Sequence, residues 1–149
     1  MESAIKEKLN NDLKQAIKER DKPKCLTIRL LLAAIQNAEI AKRAPLSEND
    51  LLGIITKEVR QHKESIDAFK HGGRQDLVEK EEAELAIIQK YLPEQISRNG
   101  IIAAARQVID EVGASGPQDK GRVMSQLMPK LKGKADGREI NAVVTELLG

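Results

Sequence analysis

The sequence predicts an all-α protein, and three observations carry that prediction. Apolar residues recur at helical spacing almost throughout the 149 residues, and no strand pattern of comparable strength appears. Serine or aspartate stands ahead of several of these stripes, where a side-chain oxygen can cap a helix start. Gly72-Gly73, Pro93 and Gly113 fall between stripes, where they can end helices. The arrangement expected is an N-terminal domain of four helices or helical hairpins over residues 1–92, then a small three-helix domain over 94–149.

The first helix is read from Ile5, Leu9, Leu13 and Ile17, a narrow stripe with charged residues between. Asp21 and Pro23 break it and restart the chain, Pro23 being suited to a first turn. A second helix, roughly Lys24 to Lys42, carries Ile28, Leu31, Leu32, Ile35 and Ala38, with Leu26 and Leu30 widening the face. So wide a face marks it as the most buried of the set. Ser47 to Asp50 reads as a capping box, with Leu46 and Leu51 at the positions of a hydrophobic staple. The third helix then runs from Glu48 to about His71 and stops at Gly72-Gly73. Asp76 with Glu79 repeats the box signal for a fourth helix bearing Leu77, Leu85 and Ile88, which ends at Tyr91-Leu92-Pro93.

Beyond Pro93, Ser97 is placed to cap a fifth helix that stops at Gly113. Ser115-Gly116-Pro117 starts a sixth, with Val123, Met124, Leu127 and Met128 in its stripe. Pro129 should disturb that helix near its end, lacking an N–H and clashing one turn back. Asp136 and Glu139 form a last box, and Ile140, Val143, Val144 and Leu147 give the seventh helix a clean amphipathic face. The methionines and the Leu-rich second helix are expected as core rather than as partner grooves.

Composition limits the function. Charged residues are 32% of the chain but the net charge is only +2, so no global field marks a nucleic-acid binder. The longest apolar run, Leu30 to Ile35, is too short to span a bilayer, and no signal-peptide pattern opens the chain. The single cysteine, Cys25, excludes an internal disulfide and fits a reducing compartment. A cytoplasmic protein without membrane contact is expected. Phe69 and Tyr91 are the only aromatics. No base-stacking platform can be built from two rings, so any RNA must be held through phosphates, riboses and shape.

One segment departs from the even mixing of charge. Gly121 to Arg138 gathers Arg122, Lys130, Lys132, Lys134 and Arg138 around Gly133 and Gly137, with Asp136 its only acid. A basic loop at the start of a helix suits an anion, since unpaired N–H groups and the helix dipole both face it. Part of this pattern has a purely structural account. Lys130 and Lys132 complement the end of one helix, Gly133 closes it and Asp136 caps the next. Lys134 and Arg138 are different, because they sit beside the positive end of the following helix. An external anion would compensate that placement.

No catalytic or metal-binding set is legible. Cys25 opens a helix but no histidine lies near it in sequence. His62 and His71 are nine apart on one helix, not the one-turn spacing of a metal pair, and His71 suits a last turn. Glu79, Glu81, Glu82 and Glu84 read as a solvated helix face. No cofactor is implied.

The junction YLPEQIS (Tyr91 to Ser97) and the run DKGRVMSQLMPKLKGKADGREIN (Asp119 to Asn141) resemble the YqeY family. Asp12 to Lys22 and Cys25 to Ile35 fit the same family, so the resemblance covers essentially the whole chain, with MPKLKGKADG its most specific part. The carboxy-terminal part is also similar to the tail domain of GatB, the tRNA-binding subunit of tRNA-dependent amidotransferases. The resemblance implies a helical first domain and a three-helix tail that contacts tRNA while other domains do the chemistry. It also implies partners such as an amidotransferase or an aminoacyl-tRNA synthetase, since similar domains are appended to some glutaminyl-tRNA synthetases. Carbon–nitrogen ligase chemistry with glutamine as amide donor belongs to the whole complex, and no GatB catalytic cradle is present here.

The function expected is a non-catalytic tRNA-binding module. Lys130, Lys132, Lys134 and Arg138 would meet phosphates, Arg122 would stand at the patch edge, and backbone around Gly133 and Gly137 would allow close approach. The alternatives are an adaptor that docks proteins on its first helices, or an amidotransferase component acting in trans.

Overall fold

A computed structural model describes residues 3–149, and among these it is helical without a strand. Contacts divide the chain into two units, Met1–Leu92 and Pro93–Gly149.

The first unit holds α1 (Ala4–Lys18), α2 (Lys22–Lys42), α3 (Glu48–His71) and α4 (Gln75–Gln89). Local chemistry sets most of their ends. Ser3 caps α1, and Asp21 caps α2 by accepting from the Lys24 N–H, with Pro23 in the first turn. Ser47 and Asp50 make the expected reciprocal capping box of α3. Gly73, at φ 68°, takes the left-handed conformation just beyond that helix. The core joins Leu9, Ile28, Leu31, Ile35, Leu51, Ile55, Val59, Ile88 and Tyr91. Tyr91 is held there by donating from Oη to Asp12 at 2.5 Å, with the Lys8 ammonium 5.4 Å from its ring centre. Burial first, then the Asp12 carboxylate, pushes its phenol well above the usual range.

Three expectations fail in this unit. The second helix is not uniformly buried: Leu26 is 51%, Leu30 61% and Ile40 66% exposed. Its partners α1, α3 and α4 cover one face, which Ile28, Leu31 and Ile35 fill, and the extra leucines lie beyond it. In α1, Ala16 is buried and Ile17 is 49% exposed, because a four-residue repeat drifts around a helix of 3.6 residues per turn. Asp76 does not cap α4. The helix starts at Gln75 with no side-chain cap, and the Asp76 carboxylate instead takes two hydrogen bonds from the Arg74 guanidinium at 3.1 and 3.2 Å.

The second unit holds α5 (Arg98–Val112), α6 (Lys120–Leu131) and α7 (Gly137–Leu148). Ser97 caps α5 through the Gly100 N–H, and Gly113 closes it at φ 69°. A 3₁₀ turn over Pro117–Asp119 comes before α6, so the sixth helix opens later than Ser115-Gly116-Pro117 suggests. Pro129 sits inside the last turn of α6, which ends two residues on. Ile101, Ala105, Val108, Val123, Leu127, Leu131, Ala135, Ile140, Val143, Val144 and Leu148 form one core, with Met124 and Met128 packed against it.

Candidate phosphate-binding turn

The basic residues are placed by the turn between α6 and α7. Leu131 is the last buried residue of α6, and its carbonyl accepts the Lys134 N–H at 2.9 Å. Gly133 takes φ 78°, open to glycine with little steric cost, and turns the chain inward until Ala135 is buried. Asp136 then caps α7, its side chain accepting from the Arg138 N–H at 3.0 Å.

A second segment fixes this turn from outside. Gln95 Nε2 donates to the Gly133 carbonyl at 2.7 Å and to the Pro93 carbonyl at 2.8 Å. The Ile96 N–H donates to the Lys134 carbonyl at 3.0 Å. The junction YLPEQIS and the run KGKADG, far apart in sequence, are thus hydrogen-bonded to each other. Sequence inspection gave Gln95 and Ile96 no role, and only their membership of an unusual junction motif could have pointed to them.

The seven candidate residues divide into groups. Lys132 is half-buried, Lys134 is exposed, and neither has an ion-pair partner among the described residues. Arg138 is exposed on the first turn of α7. Lys130 leans to α5, with its ammonium 3.6 Å from the Glu111 carboxylate. Arg122 lies at the other end of α6, about 15 Å along the axis from Lys132 at 1.5 Å per residue. Its guanidinium donates to the Val112 carbonyl at 3.0 Å and pairs with Asp119 at 3.4 Å. Arg122 and Lys130 therefore serve the carboxy end of α5, where cations offset the helix dipole. Gly133 is buried, and a Cβ on Gly137 would meet Met128 Cε at 3.4 Å. Gly133 thus has a structural reason to be glycine, whereas the Gly137 contact, with the flexible end of Met128, is an ordinary van der Waals distance.

The helix start itself is partly satisfied from within. Besides its side-chain cap, Asp136 accepts the N–H groups of Glu139 at 3.0 Å and Ile140 at 3.1 Å on its carbonyl. Its carboxylate also occupies the position an incoming anion would favour. The cationic side chains, rather than bare α7 amides, are what this turn offers a phosphate. Tyr91 is 7% exposed and engaged with Asp12, so it is withdrawn from base stacking.

The acidic face of α4 corrects another expectation. Glu79 and Glu82 are exposed, but the Glu81 and Glu84 side chains are 19% and 18% exposed and both face His62 of α3. Helical register separates them, since residues three apart share a face while residues one or two apart do not. His71 donates from Nδ1 to the Asp67 carbonyl at 2.7 Å, within its own helix end. Cys25 is buried in the first turn of α2.

Comparison with known proteins is consistent with the whole-chain resemblance. The chain is 30% identical over 154 residues to "Altered inheritance of mitochondria protein 41, mitochondrial" of Pyrenophora tritici-repentis, covering 99% of this chain and 83% of that protein. It is 32% identical to the protein of the same name in Saccharomyces cerevisiae, over 95% of this chain and 66% of that one. A local match of 48% identity to the Eremothecium gossypii protein covers 56% of this chain and 46% of the relative. These names overturn the cytoplasmic expectation, since they point to mitochondria. A lone cysteine fits a reducing compartment but does not tell one such compartment from another. The model of the family described as Yqey-like protein matches residues 6–148, and the chain belongs to that family.

Proposed function

We propose that the protein is a non-catalytic RNA-binding module that holds tRNA, or another structured RNA, by its phosphates at the α6–α7 turn. The observation that carries this reading is the pair Lys132 and Lys134, two cations without ion-pair partners among the described residues, on a turn pinned by Gln95 and Ile96. Cations held on a rigid turn lose little further freedom when they meet a phosphate, whereas lysines on a mobile tail lose more. Arg138 adds a planar donor on the next helical turn. With no aromatic platform, selectivity rests on RNA shape or on a partner such as an aminoacyl-tRNA synthetase or amidotransferase. The test is a titration of the purified chain with total tRNA at low salt, followed by fluorescence anisotropy. Saturable binding that added salt weakens supports the proposal, and no binding at low salt ends it.

A second reading is favoured by a different observation. Leu26 and Leu30 stand exposed on α2, and a groove of 430 Å³ lined by Pro23, Leu26, Ala83 and Ile87 lies beside them. An apolar groove rimmed by Lys22, Lys80 and Glu84 suits a protein partner's helix. This adaptor role predicts a protein complex that survives nuclease and high salt, conditions that remove an RNA-mediated one. Support of amidation in trans predicts stimulation of a glutamine-dependent amidotransferase assay.

A further inference from the structure

The α3–α4 hairpin brings together three side chains that the RNA-binding proposal does not use. His62 Nδ1 lies 2.5 Å from a Glu81 carboxylate oxygen and 3.7 Å from one of Glu84. One donor atom from each of the three falls within 4.8 Å of the others. All three side chains are partly withdrawn from solvent, at 15%, 19% and 18% exposure. Glu81 and Glu84 are three residues apart, so α4 presents both from one face, and α3 supplies the imidazole opposite.

Charge makes this cluster unusual. No lysine or arginine pairs with Glu81 or Glu84 among the described residues. A protonated His62 can balance one carboxylate and leaves the second facing a like charge in a half-buried setting, where repulsion is poorly screened. A divalent cation with a neutral imidazole balances both. The spacing suits one ion. Donors bound to zinc at about 2.0–2.2 Å in a tetrahedral arrangement stand roughly 3.4 Å apart. His62 and Glu84 are already near that separation, and Glu81 reaches it by backing away about 1 Å. Helical bundles commonly build metal sites this way, from inward carboxylate and histidine side chains on facing helices.

The surroundings leave room for a further ligand. An open hollow of 380 Å³ beside His62 and Glu81 is lined also by Leu30, Glu58, Gln61 and Ser65. Glu58 is one turn before His62 on the same helix face, so it can approach as a fourth oxygen donor or leave that position to water. An imidazole nitrogen among the donors favours zinc and its first-row neighbours over magnesium or calcium, which take oxygen ligands.

We propose that His62, Glu81 and Glu84 form a binding site for a divalent transition-metal ion of the zinc type, which cross-links α3 to α4. It is independent of the α6–α7 turn.

The test is isothermal titration of the metal-stripped full chain with zinc chloride, with magnesium chloride as the control. One zinc per chain is expected, with a rise in the thermal unfolding midpoint and little response to magnesium. The near-isosteric pair E81Q/E84Q should bind zinc more than about 100-fold more weakly, beyond the roughly 10–100-fold that loss of an outer-shell contact costs. His71→Ala should bind as the parent does. Helicity measured by circular dichroism keeps the variants comparable, and the parent titration stands whether or not they fold. Absence of saturable zinc binding by the parent, or unchanged affinity in E81Q/E84Q, overturns the proposal and leaves a histidine–glutamate ion pair only.

Discussion

Replacing Lys132 and Lys134 together by alanine tests the phosphate-binding turn most directly. Arg122 and Lys130 are already engaged at the end of α5, through Val112, Asp119 and Glu111. In the proposed reading Lys132 and Lys134 meet the phosphates together with Arg138, which lies on the first turn of α7. Each neutralised phosphate on duplex-like RNA contributes about −0.9 to the slope of log affinity against log salt, so three give roughly −2.7. Between 50 and 200 mM salt the parent should lose about 40-fold in affinity, and the variant, with Arg138 alone, only about 3.5-fold. At low salt the variant should bind more weakly at once. Neither lysine makes an ion pair among the described residues, so unfolding stability should move by no more than about 0.5 kcal/mol. Anisotropy of labelled tRNA across a salt series, with circular dichroism on the same samples, reads both quantities. A double variant that keeps the parent slope would refute the assignment of binding to this turn.

Other outcomes follow from the same geometry. Gln95→Ala removes both donors that reach the Gly133 and Pro93 carbonyls. Hydrogen exchange at the Ile96 amide should quicken, and tRNA affinity should fall by less than in the double lysine variant; unchanged exchange would mean the turn holds without Gln95. Ile140→Ala empties a fully buried position in the small second core and should cost about 2–5 kcal/mol. Proteolysis should then begin within residues 93–149, and a fully protected second unit would count against that core. In the first unit, the Lys6 ammonium, donating to Glu39 at 2.8 Å, holds that carboxyl below its ordinary value of 4.5, helped by the Leu46 N–H. A carboxyl so lowered adds stability above its unfolded pKa and loses it as pH falls through the folded one. Urea midpoints should therefore drop on acidification below about pH 4.5, less so in Glu39→Gln. Parallel pH profiles for parent and variant would remove Glu39 from the acid response.

The helices were legible in the sequence because their signals are local. The Ser47–Asp50 box, the Ser97 cap and the left-handed Gly113 each act within one turn of chain, so reading them needs no knowledge of what packs where. Asp76 shows the limit of that logic. The capping pattern was present, but Arg74 lay two residues away and took the carboxylate first. The stripe of α2 failed for a related reason. Periodicity says which residues share a face, not how much of that face a neighbour covers, so Leu26 and Leu30 were legible as apolar but not as exposed.

By itself the sequence determined the all-α class, most helix ends, the lack of a stacking platform and the concentration of cations between Gly121 and Arg138. Those follow from residue type and short-range spacing. Only the tertiary structure decided which cations stay available, because Arg122 and Lys130 turn to the end of α5 while Lys132 and Lys134 do not. It alone joined Gln95 to Gly133, 38 residues away, and His62 to Glu81, 19 residues away. Contacts at such separations depend on how helices pack, and packing is set by the summed burial of many apolar side chains rather than by any motif.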